Sequence, residues 1–421
     1  MSAGKTEILS ASLVAPMDQP AIPDGAVAIA GGLILAVGTR RHILSEYPGV
    51  IEHELSDAVL LPGLVNPHTH LELSDLTPGK PPASFVDWIL SLLGRTPRLG
   101  EDAAKKIAQA VEIGVRQCLR FGVTTAGDIS KMCMFTRPAL RSLAEKGHPL
   151  RVISFGELQA MAQRRVLFDE RFAVATDASQ ESGRLIVGIS PHAPYTVEPM
   201  GYRRSLSYAQ KENRQLATHL AENPEEAEFL AEHCGPFHHL WEAGVKAWDN
   251  DVPKFPGGPI RFARELGLLD FPSLLAHVNY CDDDELALLA AGKASVVYCP
   301  RTHAFFGHTP HRWRDMLAKG INVAVGTDSC ASSPDLNLVD DLRLLHRLAP
   351  DFPAAELWQM ATLRAARALR LENDIGSLTP GKRADLVAFR ADGADPLARL
   401  LETDWLPLCV WIDGKITVWP D

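Results

Sequence analysis

The sequence predicts an α/β protein: a (β/α)8 TIM barrel carrying a small β-sandwich domain formed by both termini. Three observations carry this expectation. Short apolar strands alternate with helix-period segments through the middle of the chain, eight such strands can be counted, and the polar residues suited to chemistry recur at their C-terminal ends. At 421 residues the chain exceeds one average domain, and its 46% hydrophobic and 22% charged content is that of an ordinary globular protein. The expected division is 1–60 for the N-terminal part of the β domain, 61–371 for the barrel, and 372–421 for the C-terminal part of the β domain.

Residues 1 to about 59 read as short strands, ILSASLVA and AVAIAGGLILAVG, with Asp24-Gly25 and Gly31-Gly32 as turn signals. The final fifty residues return to that style in ADLVAF (384–389) and CVWIDGKITVW (409–419), the latter turning at Asp413-Gly414. Between them, Leu60 to Asn66 is the opening barrel strand. Glu101 to Phe121 then carries apolar residues at helical spacing, from Ile107 to Leu119, and Gly122 ends it. Further strands follow at 123–128, 150–157, 184–192, 215–222, 273–280, 294–300 and 321–328, with helices such as 198–212 and 283–291 between them. The segment 235–258, rich in aromatics and ending in PGG, is expected to form a lid.

Composition excludes some functions. A net charge of −10 argues against a general nucleic-acid or anionic-membrane binder. No apolar run reaches the roughly 20 residues that span a bilayer, and the first twenty residues lack the apolar core of a signal peptide. Seven scattered cysteines without a CxxC pair favour reduced thiols and a cytoplasmic location. GSLTPGK (376–382) imitates a phosphate-binding loop, but Arg383 stands where Ser or Thr is required and a strand follows instead of a helix. The HxE and PCxxC signature of cytidine-deaminase-type zinc sites is absent.

The strand-end residues are His68, His70, Asp128, His192, His219, His277 and Asp328. On an extended chain His68 and His70 fall on one side and reach the same point. With His219 and Asp328 they offer three imidazoles and a carboxylate, a donor set for one catalytic divalent cation, zinc first and iron second, with a position left open for water. Such an ion lowers the pKa of its water towards about 7. Glu222, three residues past His219, is placed to move protons if burial raises its pKa, although by itself it also reads as a solvated acid starting the next helix. His277 reads either as a core histidine or as the group orienting the attacking water. Asp128 either holds the first histidines by hydrogen bonds or caps the next element. For substrate contacts the candidates are His192, Arg301, His303, and Trp88 as either helix packing or a wall for a flat ring. The other nine histidines, His308 and His311 among them, read as surface or packing residues.

The motifs LLPGLVNPHTH, PHAPYTV, HLAE at 219–222, AH at His277, GTDS at 326–329 and GSLTPGKRADLV together resemble the metal-dependent amidohydrolase superfamily over almost the full length. Their order is similar to the mononuclear aminohydrolase branch of deaminases and triazine chlorohydrolases. The resemblance implies that His68, His70, His219 and Asp328 hold the metal, that Glu222 shuttles protons, and that His277 positions the attacking oxygen. His192 occupies the place of the binuclear branch's carboxylated lysine, which implies one metal. After Cys299-Pro300 the chain has Arg-Thr-His where many such deaminases have Ser-Asn, a variant that resembles the aminofutalosine deaminase-like group, and the chain as a whole resembles aminofutalosine deaminase-like or S-adenosylhomocysteine deaminase-like members. The expected activity is hydrolytic deamination of an aminopurine or adenine-nucleoside-like small molecule, of aminodeoxyfutalosine or S-adenosylhomocysteine type, releasing ammonia. The alternative is removal of chloride or amine from another N-heterocycle of cytosine, guanine or triazine type. A non-catalytic scaffold would have lost ligands, and this chain retains the full set. A homodimer is expected, as for other such barrels.

Overall fold

The computed structural model describes residues 5–96, 100 and 102–417. Four strands open the chain: β1 (Glu7–Val14), β2 (Ile22–Ala30), β3 (Leu33–Thr39) and β4 (Ile51–Pro62). Gly31 and Gly32, both with positive φ, turn β2 into β3 as the sequence suggests. Asp24-Gly25 behaves differently from its expectation as a turn. It lies inside β2, paired to β1 at Ala11, and a Cβ on Gly25 would come within 2.7 Å of the Val14 side chain. Asp24 keeps a left-handed φ of +45°, so the turn chemistry survives as a kink, and pairing on both sides of β2 carries the strand through it. The polar start of β4 and the helix Arg40–Glu46 were not legible, because neither shows an apolar period.

Eight parallel strands follow in two ladders. The first joins β5 (Leu64–Thr69), β6 (Val123–Ser130), β7 (Arg151–Leu158) and β8 (Leu185–Pro191) in that order. The second joins β9 (Ala217–Leu220), β10 (Leu274–His277), β11 (Ser295–Tyr298) and β12 (Asn322–Val325). These are the eight expected strands. Isolated bridges span the two gaps: Ile189 with Leu216, and Thr69 with Asp328. Both ladders are buried on both faces, which is why their strands read as apolar runs instead of alternating. An inner apolar cluster takes Val65, Ile129, Ile153, Phe155, Ala217, Leu274, Ala276, Val297 and Ala324 from seven of these strands, and Ile186 of β8 packs against it. The two ladders therefore share one apolar cluster, which Ala365, Ala366 and Leu369 help to fill.

Helices cover the outside. Ala103–Arg120 buries Ile107, Ala110, Val111, Gly114, Val115, Cys118 and Leu119, the stripe expected from the sequence, while Glu101 lies outside the described residues. Gly114 matters for the site, since a Cβ there would fall 2.4 Å from Ser74 Oγ, in the turn that follows His70. The helices expected at 198–212 and 283–291 run Pro199–Lys211 and Asp283–Ala290, the second started by a reciprocal cap between Asp282 and Glu285.

The chain ends with β13 (Leu386–Arg390), β14 (Cys409–Ile412) and β15 (Lys415–Ile416), and Val418 and Trp419 of the expected last strand lie outside the described residues. Both termini do combine: the order is β15-β14-β13-β4-β1-β2-β3, with β1 parallel and β13 antiparallel to β4. Among the described residues this is one continuous seven-stranded ladder, not two facing sheets. Arg151, at the start of β7, ties it to the parallel strands through Asp385 Oδ2 at 2.7 Å and Asp413 Oδ1 at 3.4 Å, with its own side chain only 4% exposed.

Candidate active site

The C-terminal ends of the parallel strands bring together most of the residues singled out in the sequence. His68 lies within β5 and His70 follows it; His219 is in β9, His277 ends β10, and Glu222 and Asp328 stand just past β9 and β12. His70 Nε2 is 3.4 Å from His219 Nε2 and 3.4 Å from Asp328 Oδ1, and His68 Nε2 is 3.7 Å from the same oxygen. The ligating atoms of His68, His70 and His219 lie within 4.8 Å of one another, as do those of His68, His277 and Asp328. Donors bound to one ion at about 2.1 Å in tetrahedral geometry stand roughly 3.4 Å apart, so these spacings suit a shared cation.

The chemistry of the donors agrees. His68 is fully buried and both its ring nitrogens lack a hydrogen-bond partner, a costly state for an imidazole that a cation relieves. Burial, reinforced by the neighbouring imidazoles, holds His68, His219 and His277 well below the usual histidine range, in the neutral form that ligates. Burial pushes Asp328 up, while His70 pulls it down. Asp328 and His277 both have positive φ, +58° and +72°, as does Ala221 at +51°. Three non-glycine residues in this region at strand ends mark backbone strain around the site.

Supporting bonds fix the arrangement. Asp128 Oδ1 accepts from the Leu71 amide at 2.8 Å, pinning the turn after His70, and its other oxygen has no partner. Of its two expected roles, this is the one that bears on the histidines. Asn66 Nδ2 donates to Thr327 Oγ1, joining β5 to the loop that carries Asp328. Glu222 Oε1 is 3.7 Å from His277 Nε2, and burial, then Asp328, raises its carboxyl well above the usual range.

Sequence reasoning missed two residues here. The Glu226 carboxylate accepts the amides of Ala221, Glu222 and Asn223 at 3.0, 2.6 and 3.1 Å, gripping the loop that presents Glu222. Its only signal was the second acid of NPEE, indistinguishable from a solvated helix start. His311, read as packing, stacks on Tyr298 with ring centroids 3.9 Å apart and places Nε2 2.9 Å from the His277 carbonyl, which the positive φ of His277 turns towards it.

These groups form one end of a cavity of about 460 Å³. His192 lines it, its Nδ1 2.7 Å from Thr196 Oγ1. Trp88 lines it as well, on the helix Phe85–Arg95, while also stacking on Phe85. Leu240, Trp241, Gly244 and Val245, from the expected lid segment, form part of the wall, and Trp241 Nε1 donates to the Tyr195 carbonyl at 2.7 Å. Arg301 and His303 are not among the lining residues. The Arg301 guanidinium is taken by Asp341 Oδ2 at 2.9 Å and Asp335 Oδ1 at 2.7 Å, and His303 Nε2 lies 2.9 Å from the Thr309 carbonyl. Both sit on the helix Pro300–Phe306, whose neighbours supply stronger partners than a solvent-filled cavity does.

Comparisons with known proteins agree with this geometry. The amidohydrolase family model matches residues 59–417. The chain is 29% identical over 396 residues to a 5-methylthioadenosine/S-adenosylhomocysteine deaminase of Moorella thermoacetica, covering 91% of this chain and 85% of that one. It is 30% identical over 346 residues to an aminodeoxyfutalosine deaminase of Deinococcus radiodurans, covering 77% of each. Among solved structures, Helicobacter pylori aminofutalosine deaminase superimposes with a TM-score of 0.82 at 24% identity, over 98% of this chain and all of that one. A zinc-bound adenosine deaminase of Xanthomonas campestris gives 0.81 at 23% identity, over 97% and 92%. With a family model matched from β4 to the last described residue, the chain belongs to the amidohydrolase family.

Proposed function

We propose that the protein is a metal-dependent deaminase of adenine-nucleoside-like substrates, which replaces the exocyclic amine by oxygen and releases ammonia. The observation that carries this is the convergence of three imidazoles and Asp328 beside a buried carboxyl, Glu222, at one end of a cavity large enough for a nucleoside. The deaminase relatives support the substrate class. His68, His70, His219 and Asp328 would hold one divalent cation, which supplies a water of lowered pKa when bound. Zinc is favoured by the nitrogen-rich donor set.

Glu222 does the proton work. As a carboxylate it takes a proton from the attacking water, and as the carboxyl so formed, which burial favours, it delivers that proton to the ring nitrogen beside the reacting carbon, which lets that carbon become tetrahedral. His277 Nε2, next to the same carboxyl, holds the water by a hydrogen bond and fixes its line of approach. Asp328 accepts the second water proton and passes it to the amine, so that ammonia leaves and the carbonyl forms. The apolar wall from the helix Phe85–Arg95 and from Leu240 and Val245 keeps bulk water away from the ring.

The finer architecture belongs to this reading: a closed eight-stranded barrel over 61–371 with the β domain from 1–60 and 372–421, supported by the shared inner cluster and the two bridging pairs. A cytoplasmic enzyme fits seven free cysteines, and no helix among the described residues is long and apolar enough to cross a membrane.

The test is ammonia release by the zinc-loaded protein from adenosine, 5-methylthioadenosine, S-adenosylhomocysteine and aminodeoxyfutalosine. Turnover of at least one is expected and is lost on chelation. No ammonia from any of them would overturn the reading, and chloride release from a chlorotriazine instead would move the protein to the alternative leaving group.

A further inference from the structure

We propose that Glu157 forms a subsite for a vicinal diol, the 2′- and 3′-hydroxyls of a ribose, on the cavity wall beside the metal-binding histidines. The inference rests on the deaminase reading and says which part of the substrate is gripped away from the reacting ring. Glu157 lies near the C-terminal end of β7, one strand from His192, and lines the same cavity as His70 and His192. Among the described residues four carboxyl-bearing side chains line that cavity, Glu72, Glu157, Glu222 and Asp328. Asp328 and Glu222 belong to the reacting end, and Glu72 is buried, its Oε2 accepting from the Met132 amide at 2.9 Å and from Thr136 Oγ1 at 3.1 Å. Glu157 is the least buried of the four, and its Oε2 has no hydrogen-bond partner among the described residues. Its one side-chain partner is Gln159 Nε2, which donates to Oε1 at 2.7 Å, and among the described residues no Lys, Arg or His nitrogen approaches it within 4 Å.

An ionised carboxylate has about four acceptor positions, so one amide leaves three for a ligand. Two hydroxyls on adjacent carbons, both donating, match the two oxygens of a carboxylate; a free base or an apolar ring offers nothing to them. Gln159 holds Oε1 in place with one of its two amide hydrogens, and although burial raises the Glu157 carboxyl, Lys131 and His70 draw it back towards the charged form. A sugar bridging from this carboxylate to the metal end would set the ring against His192 and Trp88. Removing either hydroxyl would leave a part-buried charge unpaired, which costs roughly tenfold in affinity for each one.

The test uses zinc-loaded protein and measures both the Kd by calorimetry and kcat/KM for adenosine, 2′-deoxyadenosine, 3′-deoxyadenosine and 2′,3′-dideoxyadenosine. The native enzyme is expected to bind adenosine roughly 100-fold more tightly than the dideoxy analogue. In Glu157→Leu that ratio falls to near one, and in Glu157→Gln, which keeps the size and one acceptor, it is intermediate. Gln159→Leu lowers the ratio without abolishing it, and does so even if the Glu157 variants fold poorly. Equal binding of adenosine and the dideoxy analogue by the native protein, or an unchanged ratio in both Glu157→Leu and Gln159→Leu, overturns the subsite. Because the ratio is read from binding, it is scored whether or not ammonia appears, so failure of the deaminase reading shows separately as absent turnover.

Discussion

Glu226 is where the structure makes its most quantitative demand. Its carboxylate carries three backbone amides in succession, at Ala221, Glu222 and Asn223, and these hold the loop in the left-handed turn that Ala221 starts. Glu226→Gln keeps the volume but turns one acceptor into a donor, so the Ala221 amide on Oε2, or the pair on Oε1, faces an NH2 group instead of an oxygen. One unmade buried amide bond costs about 1–3 kcal/mol. Against a total stability of about 5–15 kcal/mol the fold survives that loss. The second effect is on chemistry: a loop displaced by about 1 Å costs on the order of 100-fold when it carries the proton donor. Urea denaturation should show the stability loss, and steady-state kinetics should show kcat down by about 10–100-fold with KM nearly unchanged. Elemental analysis should show the same bound metal, because the histidines sit on other bonds. A Glu226→Gln protein with native midpoint and native kcat would refute the argument that this carboxylate places Glu222.

Three further outcomes follow from the site and its surroundings. Glu222→Gln removes the proton carrier and should lower kcat by about 10²–10⁴ while bound metal and KM hold, as read by steady-state kinetics beside elemental analysis; activity above a tenth of native excludes it as the shuttle. Arg301→Leu leaves Asp341, whose side chain is fully buried, without its partner and should destabilise the fold by about 3–5 kcal/mol in urea denaturation. The folded fraction should keep native KM, and a raised KM at native stability would restore Arg301 to the substrate. Burial holds His308 down at about 4 and His311 at about 3, against about 6.5 when unfolded. The unfolded chain therefore binds more protons across that window, so this stability is complete above pH 6.5 and is lost as pH falls through about 4. The double variant His308→Gln, His311→Gln should flatten the acid limb of a urea-midpoint profile from pH 7 to pH 4, and an equally steep limb would show that these histidines do not titrate on unfolding.

The sequence exposed what repeats and what concentrates. All eight parallel strands were legible because burial on both faces leaves apolar runs with a polar residue at the exit, and the helix over 103–120 was legible from its period. The converging histidines could be found because each stands at such an exit. Strand pairing was harder to see: Asp24-Gly25 has turn chemistry and Asp24 does take a left-handed φ, yet the strands on either side carry β2 straight past it. Supporting contacts were harder still. Glu226 and His311 act on backbone amides and carbonyls, and nothing in their own neighbourhood of the sequence distinguishes them from a helix-start acid or a packed ring. Arg301 shows the opposite error, a charged residue at the right strand exit that folds back onto Asp335 and Asp341, acids more than thirty positions away.

The seven-stranded ladder constrains how the molecule is made. Its middle strand, β4, has a neighbour from the first fifteen residues on one side and one from the last forty on the other. A nascent chain emerging from the ribosome can zip β1 to β4 early, yet must carry that open edge until the whole catalytic region has been synthesised and β13 arrives to cover it. Such distant pairing folds slowly and leaves an unprotected strand edge meanwhile. Shortening the protein from its C-terminus would thus harm solubility before it touched a single histidine, since β4 runs almost directly into the strand that bears His68.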